Sequence, residues 1–368
     1  GNKSRVRDPM NNITDTTASG FGSPDDGAPL KIEKPLGIST DYTYDIYGNV
    51  LSMAQATGGS SLVSSYTYDS HLRLCRLSVP ERGDMLYAYN AASQMTGYAE
   101  GQPAGTGCSA LPSGTSTQLG YDNLGRLTLT DYPEPTTDIA RTYDANDNLI
   151  TINRAGVNWT YIYNDIDLLT EETLSIDGRI YRMAYAYYGS NVPYKKTFPS
   201  GQSYNYHRNG FLQPYMVTSD FPVPLINNIN FHPNGQLKSS DRVYGGFYER
   251  RQNERQLTSY IGGSNWGDKR FYSYDLNGRI TSIDSDYGVY DRGFGYDGAG
   301  RLSSATGPWG SANYQYDALN NITKKTEGSR VVDVQYSANN RIDRVLDSAA
   351  GNIWRSYTYD ARGNVTGD

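Results

Sequence analysis

The chain has 368 residues and a formal net charge of −6, and it contains no dense run of Lys or Arg. This charge gives little support to nucleic-acid binding, and no stretch of eighteen apolar residues is present to predict a membrane span. Tyr is abundant at 34 residues, against 8 Phe and 4 Trp, and 39 Gly are typical of a chain with many turns.

The first 33 residues carry no clear repeat, and we predict that they form a linker or a degenerate repeat. The segment "RDPMNNIT" (residues 7–14) resembles the degenerate end of a preceding repeat. The start of the chain, "GNKSRVRDPM", lacks the apolar core of a signal peptide. It is consistent with a chain that begins inside a longer gene product.

From Lys34 onward one phrase recurs. "YTYDIYGNV" (residues 42–50) returns as "YSYDLNGRI" (272–280), "FGYDGAGRL" (294–302) and "YTYDARGNV" (357–365). A phrase repeated this often indicates a building unit rather than a catalytic motif. Alignment on its second aromatic residue predicts fifteen repeats about 22 residues apart, at Tyr44, Tyr68, Tyr89, Tyr121, Tyr143, Tyr163, Tyr187, Tyr206, Phe231, Tyr248, Tyr274, Tyr296, Tyr316, Tyr336 and Tyr359.

Each repeat predicts a strand, a tight turn and a second strand. Two aromatic residues at i and i+2 point to one side of an extended chain. Asp can bond its own backbone two residues on, and Gly accepts the positive φ that other residues resist. The residues predicted to define the repeat structurally are Tyr44, Asp45, Gly48, Tyr121, Asp122, Gly125, Tyr274, Asp275, Gly278, Tyr296, Asp297, Gly300, Tyr359, Asp360 and Gly363.

One interval of 32 residues, between Tyr89 and Tyr121, interrupts the spacing. Its cause is a segment rich in Gly, Ser, Pro and Thr (residues 101–118), which is predicted to be a surface loop. Cys75 and Cys108 match no metal or redox spacing. Two free or buried thiols are favoured over a disulfide.

A helix is the competing secondary structure, but Gly or Asn interrupts nearly every unit. Only residues 248–260 ("YERRQNERQLTSY") leave room for a short helical turn. The prediction is an all-β fold in which tandem hairpins form one long antiparallel sheet. Fifteen hairpins give about 30 strands, and such a sheet is expected to curve because open sheets rarely exceed about ten strands. A propeller of paired units is the alternative.

The motifs that suggest chemistry are weak. Gly293, Gly295 and Gly298 match G-x-G-x-x-G, but they lie inside a repeat instead of between a strand and a helix. Residues 144–148 and 284–288 resemble parts of a calcium loop without the later Glu in register. The three histidines, His71, His207 and His232, follow the aromatic pairs and are predicted at exposed turn positions. We therefore predict no catalytic residue, no metal site and no cofactor.

The recurring Tyr-x-Tyr-Asp-x-x-Gly-Arg/Asn phrase resembles the tyrosine–aspartate (YD) repeat of the Rhs family. That family includes bacterial Rhs toxins, the C components of Tc toxins and the animal teneurins. "KPLGISTDYTYD" (residues 34–45) matches the lead-in of that repeat. The resemblance covers residues 34–368 and implies a YD-repeat β-shell domain there, with a loop insertion at 101–118.

The resemblance further implies a non-enzymatic, secreted or cell-surface-delivered shell segment. In bacterial members of the family such a shell encloses a toxic C-terminal passenger domain of the same gene product. The 368 residues contain no closing, self-cleaving segment and no toxin domain, so we expect the sequence to be an internal or truncated piece of the full family pattern. The alternative function is a Tyr-rich β surface that binds carbohydrate or a protein partner. Unpaired strands at the sheet edges also predict some self-association.

Overall fold

The computed structural model describes residues 2–18, 27–57, 60–189, 191–220, 224–242, 245–263, 266–348 and 351–368. Its regular structure is all-β, as predicted, and the described residues contain no α-helix. A single 3-10 turn lies at Pro35–Gly37. Of the strands described, 32 belong to one antiparallel sheet and two form a separate hairpin. Within this part of the chain, no helix has the length and apolarity of a membrane span.

The chain divides into two compact units, and the first combines Gly1–Ser116 with Tyr272–Asp368. Short turns of Asx and Gly residues separate strands of about six residues, so each strand pairs with the next along the chain. The strands of the first part are β1 Asn2–Arg7, β2 Ile13–Ala18, β3 Pro29–Lys34, β4 Ile38–Tyr44, β5 Val50–Thr57, β6 Ser60–Tyr68, β7 Leu74–Val79, β8 Arg82–Tyr89 and β9 Met95–Gln102.

The second unit is Thr117–Phe271. It holds β10 Thr117–Tyr121, β11 Leu127–Asp131, β12 Ile139–Tyr143, β13 Leu149–Arg154, β14 Val157–Tyr163, β15 Leu169–Ile176, β16 Arg179–Tyr187, β17 Pro193–Thr197, β18 Ser203–Arg208, β19 Pro214–Ser219, β20 Pro224–Phe231, β21 Leu237–Arg242, β22 Gly246–Gln252, β23 Thr258–Gly263 and most of β24 Trp266–Tyr274.

The first unit resumes after β24. Its later strands are β25 Ile280–Ser285, β26 Arg292–Tyr296, β27 Leu302–Gly307, β28 Gly310–Tyr316, β29 Ile322–Glu327, β30 Arg330–Tyr336, β31 Ile342–Asp347, β32 Asn352–Ser356, β33 Thr358–Tyr359 and β34 Val365–Gly367. The last two strands form the separate hairpin.

A register shift marks the end of the first strand in nearly every repeat. In β4 and β5, Thr43 pairs with Ser52 and Tyr44 pairs with Val50, which leaves Leu51 as the extra residue of a β-bulge. The same shift recurs at Tyr68, Tyr89, Tyr121, Tyr143, Tyr163, Tyr187, Phe231, Tyr296, Tyr316, Tyr336 and Tyr359. Because a bulge bends its strand and adds twist, the repeat carries its own bend.

The bulge corrects two aligned positions. In β18 the shift falls at Arg208, and in β22 it falls at Gln252, so these residues occupy the tyrosine position of their repeats. The sequence alignment on Tyr206 and Tyr248 is therefore wrong by two and four residues, because a nearby aromatic residue was taken for the missing one. With the correction, every repeat except the one before Tyr121 is 20 to 24 residues long.

The possible helical turn at residues 248–260 is also wrong. Gly246–Gln252 is a strand, and a turn at Asn253–Leu257 joins it to β23. Its charged side chains follow the two-residue period of a strand: Glu249 and Arg251 form an ion pair from one face.

The sheet buries few side chains completely. The buried hydrophobic residues are mostly small, and Ala99 and Ala312 are 1% and 2% exposed. The repeat tyrosines are half-buried instead, and their rings cover apolar area on one face. Stability therefore depends on contacts between neighbouring hairpins, as in other repeat proteins.

Strands also occur within the segment predicted as a linker or degenerate repeat (residues 1–33), where β1 and β2 form a hairpin and β3 pairs with β4. Residues 19–26 of that segment lie outside the described residues. The turn of the β1–β2 hairpin begins at Asp8, whose carboxylate accepts hydrogen bonds from the backbone N–H groups of Met10 and Asn12. The later repeats use the same arrangement.

Candidate functional site

The repeated turn is the feature that recurs throughout the chain, and Asp45 shows how it is built. One carboxylate oxygen of Asp45 accepts hydrogen bonds from the backbone N–H groups of Tyr47 and Asn49, both at 2.8 Å. The other oxygen accepts from the side-chain amide of Asn49 at 2.8 Å. Backbone bonds between Asp45 and Asn49 and between Gly48 and Asp45 close the turn. One short acidic side chain thus satisfies two backbone N–H groups and one side-chain amide of the turn.

Asn replaces Asp in several repeats and forms the same two backbone contacts. The Oδ1 of Asn164 accepts from the N–H groups of Ile166 and Leu168, and that of Asn209 accepts from Phe211 and Gln213. An amide oxygen has the acceptor geometry that the turn needs, although it lacks the charge.

The third residue after the Asp or Asn has a positive φ in every repeat of this kind. Gly48, Gly125, Gly278, Gly300 and Gly363 lie there, with φ between 82° and 87°. Other repeats place Leu72, Ser93, Asp147, Leu212 or Gln256 at the same position, with φ between 60° and 69°. Side chains larger than Gly are strained in this region.

The tyrosine links each hairpin to the one before it. The hydroxyl of Tyr44 donates to the carbonyl of Pro29 at 2.7 Å, that of Tyr68 to Val50 at 3.0 Å, and that of Tyr89 to Leu74 at 2.9 Å. The same bond is made by Tyr143, Tyr163, Tyr187, Tyr296, Tyr316, Tyr336 and Tyr359. From Tyr68 onward the acceptor is the first residue after the preceding turn, so the hydroxyl ties two repeats together.

Arg at the fourth position after Asp makes a second link. Arg301 donates from Nε to Asp297 at 2.7 Å and from Nη1 to the carbonyl of Asp317, in the next turn, at 2.7 Å. Its guanidinium lies 4.7 Å from the ring centre of Tyr316. One side chain thus combines an ion pair, a hydrogen bond across repeats and a cation–π contact. Arg73, Arg126 and Arg341 make the same inter-repeat contacts.

These contacts shift the protonation of the turn. Hydrogen bonds from the side chain and backbone of Arg73 lower the pKa of Asp69 to about 2. The hydrogen bond from the Asn49 side chain lowers the pKa of Asp45, and that from Asn364 lowers the pKa of Asp360. Burial raises the pKa of the repeat tyrosines Tyr44, Tyr68 and Tyr163. At neutral pH these three Asp side chains are therefore charged and these three Tyr side chains are protonated.

The predicted repeat residues lie at equivalent positions along the sheet instead of converging on one site. Gly293 and Gly295 are inside β26 and Gly298 is in the following turn, with strand β27 after it instead of a helix. His71 is an exposed turn residue, but His207 lies within β18 and His232 occupies the Asp position, so the predicted turn placement is wrong for His207. The described residues contain no group of three or more His, Cys, Asp or Glu side chains that could hold a metal ion.

A second cluster lies on the inserted loop, and it corrects the expectation of free thiols. Cys75 and Cys108 form a disulfide with Cα atoms 5.3 Å apart, a normal separation for this bond. The spacing of 33 residues gave no signal, because the loop folds back onto β7 only through contacts that no local pattern encodes.

Beside the disulfide, Arg76 and Asp84 form an ion pair with exposures of 6% and 2%. Arg76 donates to the carbonyl of Gly107 at 2.7 Å and to Ser109 Oγ at 2.9 Å. Asp84 accepts from the N–H of Gly105 at 3.0 Å. A Cβ on Gly105 would lie 2.7 Å from the guanidinium, so a larger residue there would require the Arg76 side chain to shift. Residues 103–109 thus wrap a buried pair that sequence patterns do not reveal, and we call them the clasp.

Within the first unit, turns from its two parts contact each other along what we call the seam. The side-chain amide of Asn277 donates to Asp8 at 2.7 Å, that of Asn340 donates to Glu81 at 3.0 Å, and the N–H of Gly83 donates to the carbonyl of Ala361 at 2.8 Å. Between these points, a Cβ on Gly298 would lie 3.4 Å from Asn12 Oδ1. The contacts therefore run in the same order along both parts: residues 8–12 face Asn277 and Gly298, and residues 81–83 face Asn340 and Ala361.

Comparison with known proteins agrees with the geometry. Residues 296–332 match the family model of the RHS repeat. Two solved structures, TcdB2–TccC3 and TcdB2–TccC3 without its hypervariable C-terminal region, superpose with a TM-score of 0.66 at 12% identity. The Photorhabdus luminescens Tc holotoxin pore superposes with a TM-score of 0.59 at 14% identity. No curated protein sequence matches the chain. Each superposition covers 99% of this chain but only 24% or 25% of the other, so the chain spans about a quarter of their length.

Proposed function

We propose that this chain, which carries RHS (YD) repeats and has the all-β fold of the TcdB2–TccC3 structures, is a non-enzymatic wall segment of a toxin shell. Its work is to enclose a passenger: residues 34–368 form the shell wall with a loop insertion at 101–118, and residues 1–33 add a degenerate repeat to it. The passenger is the toxic C-terminal domain of the same gene product.

The seam is the observation that supports enclosure most strongly. Isolated hairpins in a row make a ribbon, which cannot retain anything. Along the seam, the ribbon of residues 272–368 is joined to that of residues 1–116 through side chains separated by 259 to 269 positions in sequence. Because the turns meet in the same order on both sides, the contact extends over several repeats, and two ribbons become one continuous barrier.

The disulfide supports an exported protein. Disulfides persist in oxidising compartments and are rare in reduced cytosol, so Cys75–Cys108 fits a chain that is secreted or delivered at the cell surface. Secretion, bacterial competition and the identity of the passenger belong to the proposal.

Proteolysis of the intact gene product that contains this chain tests enclosure. We expect the passenger to resist a soluble protease in the wild type and to be cut rapidly in the double variant Asn277→Ala and Arg341→Ala, because both residues join the seam. Ser70→Ala, at an exposed turn away from the seam, is the matched control and should protect the passenger as the wild type does.

Equal cleavage of the passenger in the wild type and in the seam variant would contradict enclosure. A gene product with no domain beyond the repeats would contradict the passenger and leave only a structural wall. Circular dichroism of each variant should show an unchanged β spectrum, which separates an opened seam from an unfolded chain.

The second candidate function, binding of carbohydrate or a protein partner, is favoured by one surface. Tyr287, Trp309 and Trp354 are 60%, 44% and 53% exposed; the first two lie on neighbouring hairpins and Trp354 lies in β32. Arg330 lies 4.4 Å from the ring centre of Trp354. Aromatic and Arg side chains of this kind dominate binding surfaces. A glycan screen with the wild type and with Trp309→Ala and Trp354→Ala tests it; binding that both variants retain would exclude this surface.

A further inference from the structure

Two independent interactions, which we call fastenings, hold the clasp to the sheet. One is covalent, through Cys75–Cys108, and the other is the buried Arg76–Asp84 pair that the loop backbone surrounds. The two fastenings differ in chemistry, because only the first can be cut by a thiol.

The two sulfur atoms differ in their access to solvent. Cys75 is 4% exposed, whereas Cys108 lies in the exposed part of the loop. Thiol–disulfide exchange needs a thiolate to reach one sulfur in line with the bond, and a reductant outside the sheet can reach only Cys108. The difference in exposure favours Cys108 as the sulfur attacked and Cys75 as the leaving sulfur.

The position of Cys75 shows what becomes of the leaving group. Cys75 lies six residues after Asp69, and Thr occupies the same position at Thr128 and Thr170 in two other repeats. Their hydroxyls donate to the carbonyls of Gly120 and Ile162 at 3.2 and 3.0 Å. The Sγ of Cys75 lies 3.3 Å from the equivalent carbonyl of Thr67. A reduced Cys75 can donate its S–H there, as Thr does, so the sheet accommodates the thiol without rearrangement.

We propose that Cys75–Cys108 is a reducible fastening whose cleavage frees the clasp while the surrounding sheet stays folded. A dithiol reductant attacks Cys108 Sγ through one thiolate, and Cys75 departs as a thiolate. The Cys75 thiolate is then protonated, and its S–H donates a hydrogen bond to the Thr67 carbonyl. The second thiol of the reductant then attacks the mixed disulfide, which releases Cys108 as a thiol and leaves the reductant oxidised to its own disulfide. Two electrons pass from the reductant to the protein.

This inference is independent of the proposed shell role, because it concerns only contacts among β6, β7, β8 and the clasp. Its consequence is a protein with two states. In an oxidising compartment the clasp is locked over Arg76 and Asp84, and in a reducing compartment only hydrogen bonds and the ion pair retain it. Local opening of the clasp would then expose that pair to water.

Hydrogen exchange measured by mass spectrometry on the full chain, with and without dithiothreitol, tests the fastening. We expect the amide of Gly105, whose N–H donates to Asp84, to exchange at least about tenfold faster after reduction, because the loop loses its covalent closure. Peptides from β7 and β8 should change by less than about twofold, since reduced Cys75 keeps its place. The double variant Cys75→Thr and Cys108→Ser should show fast clasp exchange without reductant and no response to reductant.

Three outcomes would overturn the proposal. Unchanged exchange of the clasp after reduction would mean that the Arg76–Asp84 pair alone holds it. Fast exchange throughout β6, β7 and β8 would mean that the disulfide supports the sheet and not the clasp. Alkylation of both cysteines in the untreated protein would mean that the bond is absent.

Discussion

At the third position after each turn-initiating Asp or Asn, the backbone adopts a positive φ whatever residue the sequence supplies. Gly48 has φ of 87°, while Leu212 has φ of 61° in the same place and a side chain that is 42% exposed. The turn therefore determines the local conformation, and a residue with a Cβ there is held in a region that L-amino acids disfavour.

Exchange of residues at this position should change stability in opposite directions. Leu212→Gly should raise the free energy of unfolding by about 0.5–1 kcal/mol, because it relieves the left-handed strain at a small entropic cost. Gly48→Ala should lower it by about 1 kcal/mol, and strain is the cause because no atom lies within 4 Å of the added Cβ. Denaturant melts of both variants measure the two signs, and a shared sign would show that φ does not govern the turn.

The turn carboxylates and tyrosines set the pH range of stability. The folded-state pKa of Asp69 is about 2, below its unfolded value, so this group contributes stability above about pH 4 that is lost as pH falls toward 2. Burial raises the pKa of Tyr68 and Tyr163, so their contribution is complete below about pH 10 and is lost as pH rises beyond it.

We therefore expect a plateau of stability between about pH 4 and pH 10, with a fall on each side. Asp69→Asn should weaken the acid fall, because Asn forms the same backbone contacts without a charge, as Asn164 does. Thermal melts from pH 2 to pH 6 measure it. An acid limb that is identical in wild type and variant would assign the fall to other groups.

At the scale of the hairpin, the repeats differ in how strongly they are coupled. Arg301 reaches the next turn and stacks on its tyrosine, while Asn321 in the following repeat bonds its own Asp317 and the side chain of Asn340. Arg301 thus combines an ion pair, a hydrogen bond to the next turn and a cation–π contact, whereas Asn321 makes two hydrogen bonds. The residue at this position differs from repeat to repeat, and the repeats that carry Arg there are the most firmly joined to the next hairpin.

Arg301→Asn should preserve its turn and weaken its link. We expect a loss of about 1–2 kcal/mol in the free energy of unfolding, from the cross-repeat hydrogen bond and the cation–π contact. A double-mutant cycle with Tyr316→Leu should show that part of the loss is shared, with a coupling of about 0.5–1 kcal/mol. Lys324→Gln, on a half-buried residue outside the link, is the control. Strict additivity of Arg301 and Tyr316 would contradict the stacking.

Much of this level of organisation was predictable from the sequence. The strand–turn–strand unit and the all-β fold follow from the spacing of Tyr, Asp and Gly, because these residues fix a turn locally. Repeats that lack the aromatic residue were misplaced: Arg208 and Gln252 occupy the tyrosine position, which only the bulge in the ladder identifies. The role of Arg301 in linking repeats was not predicted, since its partners lie in the next hairpin.

At the scale of the first unit, the seam and the clasp were beyond sequence reasoning. Asn277 and Asp8 are separated by 269 positions, and neither differs in type from dozens of surface residues. Cys75 and Cys108 meet because the inserted loop folds onto β7, and no spacing rule predicts that. Contacts between distant parts of a repeated chain depend on how the bends of many hairpins add together.

A pair of substitutions separates the seam from the turn that carries it. Asn340 has a positive φ of 58°, so Asn340→Gly keeps the turn conformation. It removes the hydrogen bond donated to Glu81 across the seam and the one accepted from Asn321 of the preceding repeat. We expect a loss of about 0.5–1 kcal/mol, seen as faster hydrogen exchange at residues 81–83 and 360–364. The equivalent change Asn320→Gly, at an exposed turn position with φ of 70°, removes the bond accepted from Arg301 of the preceding repeat but no bond to residues 1–116, and it should leave residues 81–83 and 360–364 unaffected. Equal effects of the two changes would place the loss in the turn itself.

Three strands, β2, β3 and β4, separate the turn at Asp8 from the turn at Asp45. Because each antiparallel strand carries the chain to the other edge of the sheet and three is an odd number, the two turns lie on opposite rims. Whether the number of strands gained or lost is even or odd therefore determines on which rim the later turns lie. Duplication or deletion of a whole hairpin leaves every later turn on its original rim, so the partners along the seam change number but not kind. Gain or loss of one strand would exchange the rims for the rest of the chain. Length should accordingly vary by whole repeats of 20 to 24 residues, both in nature and in the laboratory.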